Sequence, residues 1–152
     1  QPFAINIAYR GFNFRFNVEE HNYQIPGDED QLKQVFINLI QNACDAMADI
    51  DRKKELNITL SLNRDNVKIE FSDTGNGIPK ENHGKVFIPF FTTKSMGKGT
   101  GLGLAISYGI VKMHKGNITF KSEIGKGTAF TVVLPTNQAY QITKANEGIE
   151  AL

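Results

Sequence analysis

Apolar and polar residues alternate from Phe12 to Val18, with Phe14 and Phe16 set between Asn13, Arg15 and Asn17. A period of two predicts a half-buried strand. Tyr23–Pro26 reads as a short partner strand, with His21 and Asn22 in the turn between. The period then changes. Leu32, Val35, Phe36, Leu39, Ile40, Ala43 and Met47 recur at threes and fours, which predicts a helix with one apolar face. Asp28 is placed to cap it, with Gln31 three residues on as in a capping box. Leu56–Leu62 and Val67–Phe71 alternate again around the turn Asn63–Asn66 and predict a hairpin. A second helix is predicted over Leu102–His114, ending in Lys112, His114 and Lys115 with Gly116 as its C-cap. Ile118–Ser122 and Thr128–Leu134 read as a last hairpin across Gly125–Gly127, stopped by Pro135.

Between the second hairpin strand and the second helix lies a long irregular stretch, Lys80–Lys98, with a short helical turn expected near 80–85. Loops of this length in compact domains are functional lids or disordered segments. Phe87, Phe90 and Phe91 argue for a lid, because they need something to pack on. His83 reads as solvated. Residues 136–152 are polar with scattered apolar positions and read as a loosely packed tail, which leaves 1–135 as one domain.

Composition removes several classes of function. With 17 basic and 16 acidic residues the net charge is +1, so nucleic acid is not the expected partner. One cysteine, Cys44, excludes an internal disulfide framework and suits a reducing compartment. No apolar run approaches a membrane span and no signal-peptide pattern opens the chain. The sequence begins at Gln1 and is read as a piece of a longer protein, whose membrane attachment stays open.

The chemistry concentrates in the middle. Four glycines alternate at 97, 99, 101 and 103 and run directly into the second helix. A glycine-rich turn feeding a helix start offers unpaired N–H groups and a positive dipole end, which suits phosphate. The same residues would also serve as a flexible surface loop. No Gly-Lys-Ser/Thr P-loop and no G-x-G-x-x-G fingerprint is present. On the first helix Asn38, Asn42 and Asp45 form a polar stripe beside the apolar face. It is either solvated surface or a ligand-facing row in which an amide oxygen can take Mg²⁺. Asp73-Thr-Gly-Asn-Gly77 follows a strand end and puts a carboxylate where backbone can come close, although an ordinary turn would look alike.

Taken together, these motifs resemble the ATP-binding catalytic domain of bacterial sensor histidine kinases, in the superfamily that also holds gyrase B, the large heat-shock chaperone and MutL. Asn38–Met47 resembles its Asn box, Asp73–Gly77 the first glycine box, Val86–Lys94 the Phe box, Gly99–Leu104 the second glycine box, and Gly125–Thr128 the third. Five boxes in family order make a specific match. The resemblance implies an α/β (α+β) two-layer sandwich, with a mixed, largely antiparallel sheet, helices on one face and an ATP lid. It implies ATP and Mg²⁺ as ligands. Asn42 would hold the metal, with Asn38 and Asp45 alongside. Asp73 would accept from the adenine amino group, Gly75, Gly77 and Ile78 would border the base, and Thr128 would lie at the adenine end. Gly99, Gly101, Leu102, Gly103 and Leu104 would surround the phosphates. Lys94 would be the lid cation, with Thr92 and Thr93 as lesser contacts. Ile88 departs from the acidic residue common in the Phe box, which puts the lid-anchoring contacts in doubt.

One position bears on the reaction. Hydrolysing members of the superfamily carry a Glu one turn before the metal-binding Asn, and this chain has Asn38 there. An amide cannot take a proton from water. The resemblance therefore implies phosphoryl transfer to a histidine on a separate dimerisation domain, with onward transfer to a response regulator receiver domain. None of His21, His83 and His114 lies in the acceptor pattern His-acid-x-x-x-Pro, so the chain alone is not expected to autophosphorylate. The parent would be a cytoplasmic homodimer or carry this part in the cytoplasm, and the fragment would be monomeric. A superfamily ATPase and a Ser/Thr-directed kinase of the anti-sigma-factor type are the alternatives. Gly101→Ala is expected to weaken ATP binding by blocking backbone approach while leaving the fold intact.

Overall fold

The computed structural model describes residues 11–19, 24–93 and 100–136. Strand β1 is Phe12–Val18, helix α1 Glu29–Met47, β2 Lys54–Asn63, β3 Asn66–Asp73, α2 Gly103–Met113, β4 Asn117–Glu123 and β5 Gly127–Pro135. A 3-10 turn spans Lys80–Lys85. The five strands form one sheet in the order β1-β2-β3-β5-β4. All neighbours are antiparallel except β1, which runs parallel to β2.

Helix α1 starts where the sequence predicts. The Asp28 carboxylate accepts from the Gln31 N–H at 3.0 Å. The Asp28 N–H, which a capping box would satisfy from Gln31, instead donates to His114 Nε2 at 3.0 Å. His114 Nδ1 in turn donates to the Ile110 carbonyl at 2.7 Å. The ring thus accepts at Nε2, donates at Nδ1, and bolts the C-terminal end of α2 to the N-terminal end of α1. Its role is a tertiary hydrogen bond and not merely positive charge at a helix end. The left-handed residue after α2 is Lys115, at φ 60°, and not Gly116. Gly116 is needed for another reason, since a Cβ there would overlap the Val133 carbonyl oxygen.

Val35, Leu39, Ala43 and Met47 of α1 and Ile110 and Val111 of α2 cover one face of the sheet, packing on Leu56, Ile58, Val67, Ile69, Phe71, Ile118, Phe130, Val132 and Leu134. This is the expected two-layer architecture. The expected hairpin between β1 and Tyr23–Pro26 is not formed. Residues 24–26 are irregular, Tyr23 and His21 lie outside the described residues, and β1 pairs with β2 from Phe12 beside Lys54 to Val18 beside Leu60. Of the expected tail, 137–152 lie outside the described residues, and Thr136 is held by two hydrogen bonds from its N–H and hydroxyl to the Asp65 carbonyl.

Candidate functional site

The apolar face of the sheet ends in a polar row. Cross-strand register aligns Leu56 of β2, Asp73 of β3, Thr128 of β5 and Ser122 of β4. Each polar member continues the apolar phase of its own strand and therefore points to the helix side. Asp73 and Thr128 are both 6% exposed. Asp73 Oδ1 accepts from the Gly75 N–H at 2.8 Å and the Thr128 N–H at 3.2 Å. Ser122 Oγ lies 2.8 Å from Thr128 Oγ1 and accepts from the Ile78 N–H at 2.7 Å. Asp73 Oδ2 has no hydrogen-bond partner among the described residues, although the carboxyl is buried. Burial pushes the Asp73 carboxyl up from 3.8 to about 6, against the Gly75 and Thr128 N–H donors and Arg52, which pull it down. Burial, with Asp45 and Asp73 nearby, likewise pushes the Cys44 thiol up to about 11, which leaves it a protonated packing residue.

A cleft of about 850 Å³ opens over this row, between α1, the start of α2 and the loop after β3. Asn38, Asn42, Asp45, Asp73, Gly77, Ile78, Thr92, Thr93, Gly101, Gly103, Leu104 and Thr128 line it. Among the expected residues, Gly75 and Leu102 do not border it, and Lys94 and Gly99 lie outside the described residues. Gln41, Asp49, Asn76, Phe91 and Thr100 also border it, although the sequence reading assigned them no ligand contact. Asp45 accepts from the Gln41 side chain at 2.9 Å.

The two asparagines differ. Asn38 Nδ2 donates to the Gly103 carbonyl at 3.2 Å and the Ser107 hydroxyl at 3.3 Å, while Oδ1 accepts from Gln34 at 2.8 Å. It fastens α1 to the first turn of α2, on a Ser107 that is fully buried. The Asn42 side chain lines the cleft and makes no hydrogen bond among the described residues. At the opposite wall the N–H groups of Gly101 and Gly103 find no acceptor among the described residues, at the positive end of α2.

Backbone constraints give the glycines further reasons. Gly77 has φ +77°, and a Cβ there would overlap the Glu123 carbonyl oxygen in the β4–β5 turn, so its bareness serves chain packing. Gly101 has φ +70°, and its missing Cβ faces the Phe90 carbonyl carbon. Phe90 N–H donates to the Gly101 carbonyl at 2.9 Å. These two residues form a neck that closes the segment 91–100. The expectation that Gly101→Ala leaves the fold intact therefore carries a local cost: a methyl group there must open the neck. Before the neck, Val86 is buried and Phe87 stacks among Tyr108, Phe120 and Phe130 with centroids 5.2–6.4 Å away. Phe90, by contrast, is 74% exposed. His83 is not solvated as expected, for its ring packs edge-on to Phe120 at 5.1 Å and Nε2 meets the Ile78 carbonyl at 2.9 Å.

The two-layer sandwich with a polar cleft under two helices is given its class by comparison with known proteins. Residues 27–138 match the family described as histidine kinase-, DNA gyrase B- and HSP90-like ATPase, and the chain belongs to that family. Sporulation kinase C of Bacillus subtilis (strain 168) is 44% identical over 117 residues, which are 77% of this chain and 26% of that kinase. The chain thus spans about a quarter of that relative. The nucleotide-free catalytic domain of the histidine kinase ThkA superposes with a TM-score of 0.71 at 33% identity, covering 82% of this chain and 79% of that one. Full-length ShkA, solved in complex with AMPPNP, superposes with a TM-score of 0.71 at 26% identity, covering 83% of this chain and 26% of ShkA. Fold and family together make this an ATP-binding catalytic domain of the sensor histidine kinase type.

Proposed function

We propose that the cleft binds Mg·ATP and presents its γ-phosphoryl group to a histidine on a dimerisation domain of the same parent protein, for onward transfer to a response regulator receiver domain. The observation that carries the reading is Asp73 Oδ2, a buried acceptor in the cleft lining without a partner among the described residues and suited to the 6-amino group of adenine. Thr128 and Ser122 close that end, and Ile78 borders the base. The N–H groups of Gly101 and Gly103, without an acceptor among the described residues, are suited to phosphate. The uncommitted amide of Asn42 is suited to the metal, which when bound neutralises phosphate charge. Lys94, Thr92 and Thr93 would add lid contacts and Gly99 would lie at the lid's end. The AMPPNP complex of ShkA supports the ligand class.

Asn38 favours transfer over hydrolysis. It is an amide, and its hydrogen bonds are spent on Gly103, Ser107 and Gln34. No carboxylate stands there to take a proton from water. The parent is proposed to be a homodimer with this domain in the cytoplasm. The test is radiolabel transfer from γ-labelled ATP. Label on an added dimerisation domain, labile in acid and stable in base, supports the proposal. Acid-stable label points to a Ser/Thr-directed kinase, and fast steady-state release of phosphate by the chain alone points to an ATPase.

A further inference from the structure

The turn after Asp73, which supplies one of the two N–H groups that hold its carboxylate, is itself held largely from outside the cleft. Thr74 N–H donates to the Glu55 carbonyl at 3.2 Å, and Thr74 Oγ1 donates to the Lys53 carbonyl at 2.7 Å. Asn76 N–H donates to the Ala46 carbonyl at 3.1 Å. The remaining outward carbonyls, Thr74 and Gly75, both accept from Arg52 Nη2 at 2.6 Å. Arg52 lies in the α1–β2 connection and does not line the nucleotide cleft. We propose that Arg52 is a positioning residue for nucleotide recognition, clamping the Thr74–Gly75 peptide so that the Gly75 N–H holds Asp73 with its free oxygen toward the cleft.

This rests on reading the cleft as an ATP site. Arg52 also bears on the charge state there, with a smaller pull than burial or the Gly75 and Thr128 N–H donors. Among the described residues it is the one cation that favours the Asp73 carboxylate. The other ionisable groups near Asp73 are Cys44, whose thiol feels the Asp73 charge, and Asp45 and Asp49 at the cleft wall, while the Glu55 carboxylate on β2 pairs with Lys53 and Arg15. A proton arriving on Asp73 would settle on Oδ2, because Oδ1 already accepts two N–H groups. The acceptor for an amino group would then become a donor. Arg52 opposes that change, and charge-assisted bonds of this kind are the strong ones.

The experiment compares wild type, Arg52→Ala and Arg52→Lys. Asp73 is titrated in the nucleotide-free chain by its carboxyl ¹³C signal, and ATP affinity is measured from pH 5.5 to 8.5. Arg52→Ala is expected to move the Asp73 midpoint upward and to weaken ATP about tenfold at pH 6.5, with a smaller loss at pH 8.5. Arg52→Lys is expected to recover most of the midpoint and part of the affinity. An unmoved midpoint, or an affinity loss equal at every pH, overturns the proposal. Wild type that binds no ATP overturns the reading of the cleft, while the carboxyl titration still judges Arg52.

Discussion

Replacing Asp73 with Asn should make the protein more stable and at the same time blind to ATP. The variant keeps Oδ1, which accepts from Gly75 and Thr128, and exchanges the unpartnered Oδ2 for an NH₂ donor. The stability effect follows from the buried charge. Asp73 titrates at about 6 in the fold and at an ordinary 3.8 when unfolded. Its folded value is the higher one, so the favourable contribution is complete below pH 3.8 and is lost as pH rises through 6. At pH 8 the ionised carboxylate costs the nucleotide-free fold about 3 kcal/mol, at about 1.4 kcal/mol per tenfold. Asn removes that cost, so the variant should gain about 1–3 kcal/mol at pH 8 and little at pH 4. ATP meets the opposite consequence. A hydrogen bond to a charged acceptor contributes about 1.5–3 kcal/mol, so affinity should fall by about 10- to 150-fold, further if the two donors oppose each other. Urea unfolding at pH 4 and 8 measures the first effect and calorimetry the second. A variant no more stable at pH 8 that still binds ATP like wild type would refute the reasoning at both points.

The remaining predictions concern proton, neck, bolt and metal. In wild type, preference for ATP over a 6-oxo purine triphosphate should narrow as pH falls through about 6, because protonated Asp73 donates; competition binding at pH 5.5 and 8 reads this, and a constant ratio counts against it. Gly101→Ala, with φ +70° and a methyl group facing Phe90, should weaken ATP by about tenfold and cost at least about 1 kcal/mol; calorimetry and urea melts with wild-type values would show that the neck is unimportant. His114→Ala leaves the exposed Asp28 N–H to water and should cost about 0.5–1.5 kcal/mol in urea unfolding, and an unchanged midpoint would dismiss the bolt. Asn42→Ala should lower affinity for Mg·ATP while leaving binding in chelator nearly unchanged, and an equal loss under both conditions would argue against a metal role.

Much of the site could be read in the sequence because three strands each carry a polar residue in the apolar phase. Val67, Ile69 and Phe71 are followed by Asp73, Leu134, Val132 and Phe130 lead back to Thr128, and Ile118 and Phe120 lead to Ser122. The same phase rule would have found Ser122, which went unread. The α1 stripe was legible from its period, but the division of labour within it was not. Asn38 and Asn42 are one residue type one turn apart, and only the partners Gly103 and Ser107 on a distant helix separate them. The β1 pairing was hidden for a topological reason: a parallel neighbour reached across α1 leaves no local turn signal. Arg52 was hidden because it acts through backbone carbonyls, and an arginine in a loop of mixed charge looks like solvated surface in any sequence. His114 carried a sufficient local explanation at a helix end, which concealed its bond to Asp28.

The central claim is that nucleotide enters between Asp73 and the start of α2. Titrating Mg·ATP into ¹⁵N-labelled chain and following the backbone amide signals tests it most directly. The account predicts one saturable process that moves Gly75, Thr128, Gly101 and Gly103 together and leaves Lys68 and Lys121, on the far side of the sheet, in place. Saturable shifts centred on that far side, or no shifts at millimolar Mg·ATP, would contradict it.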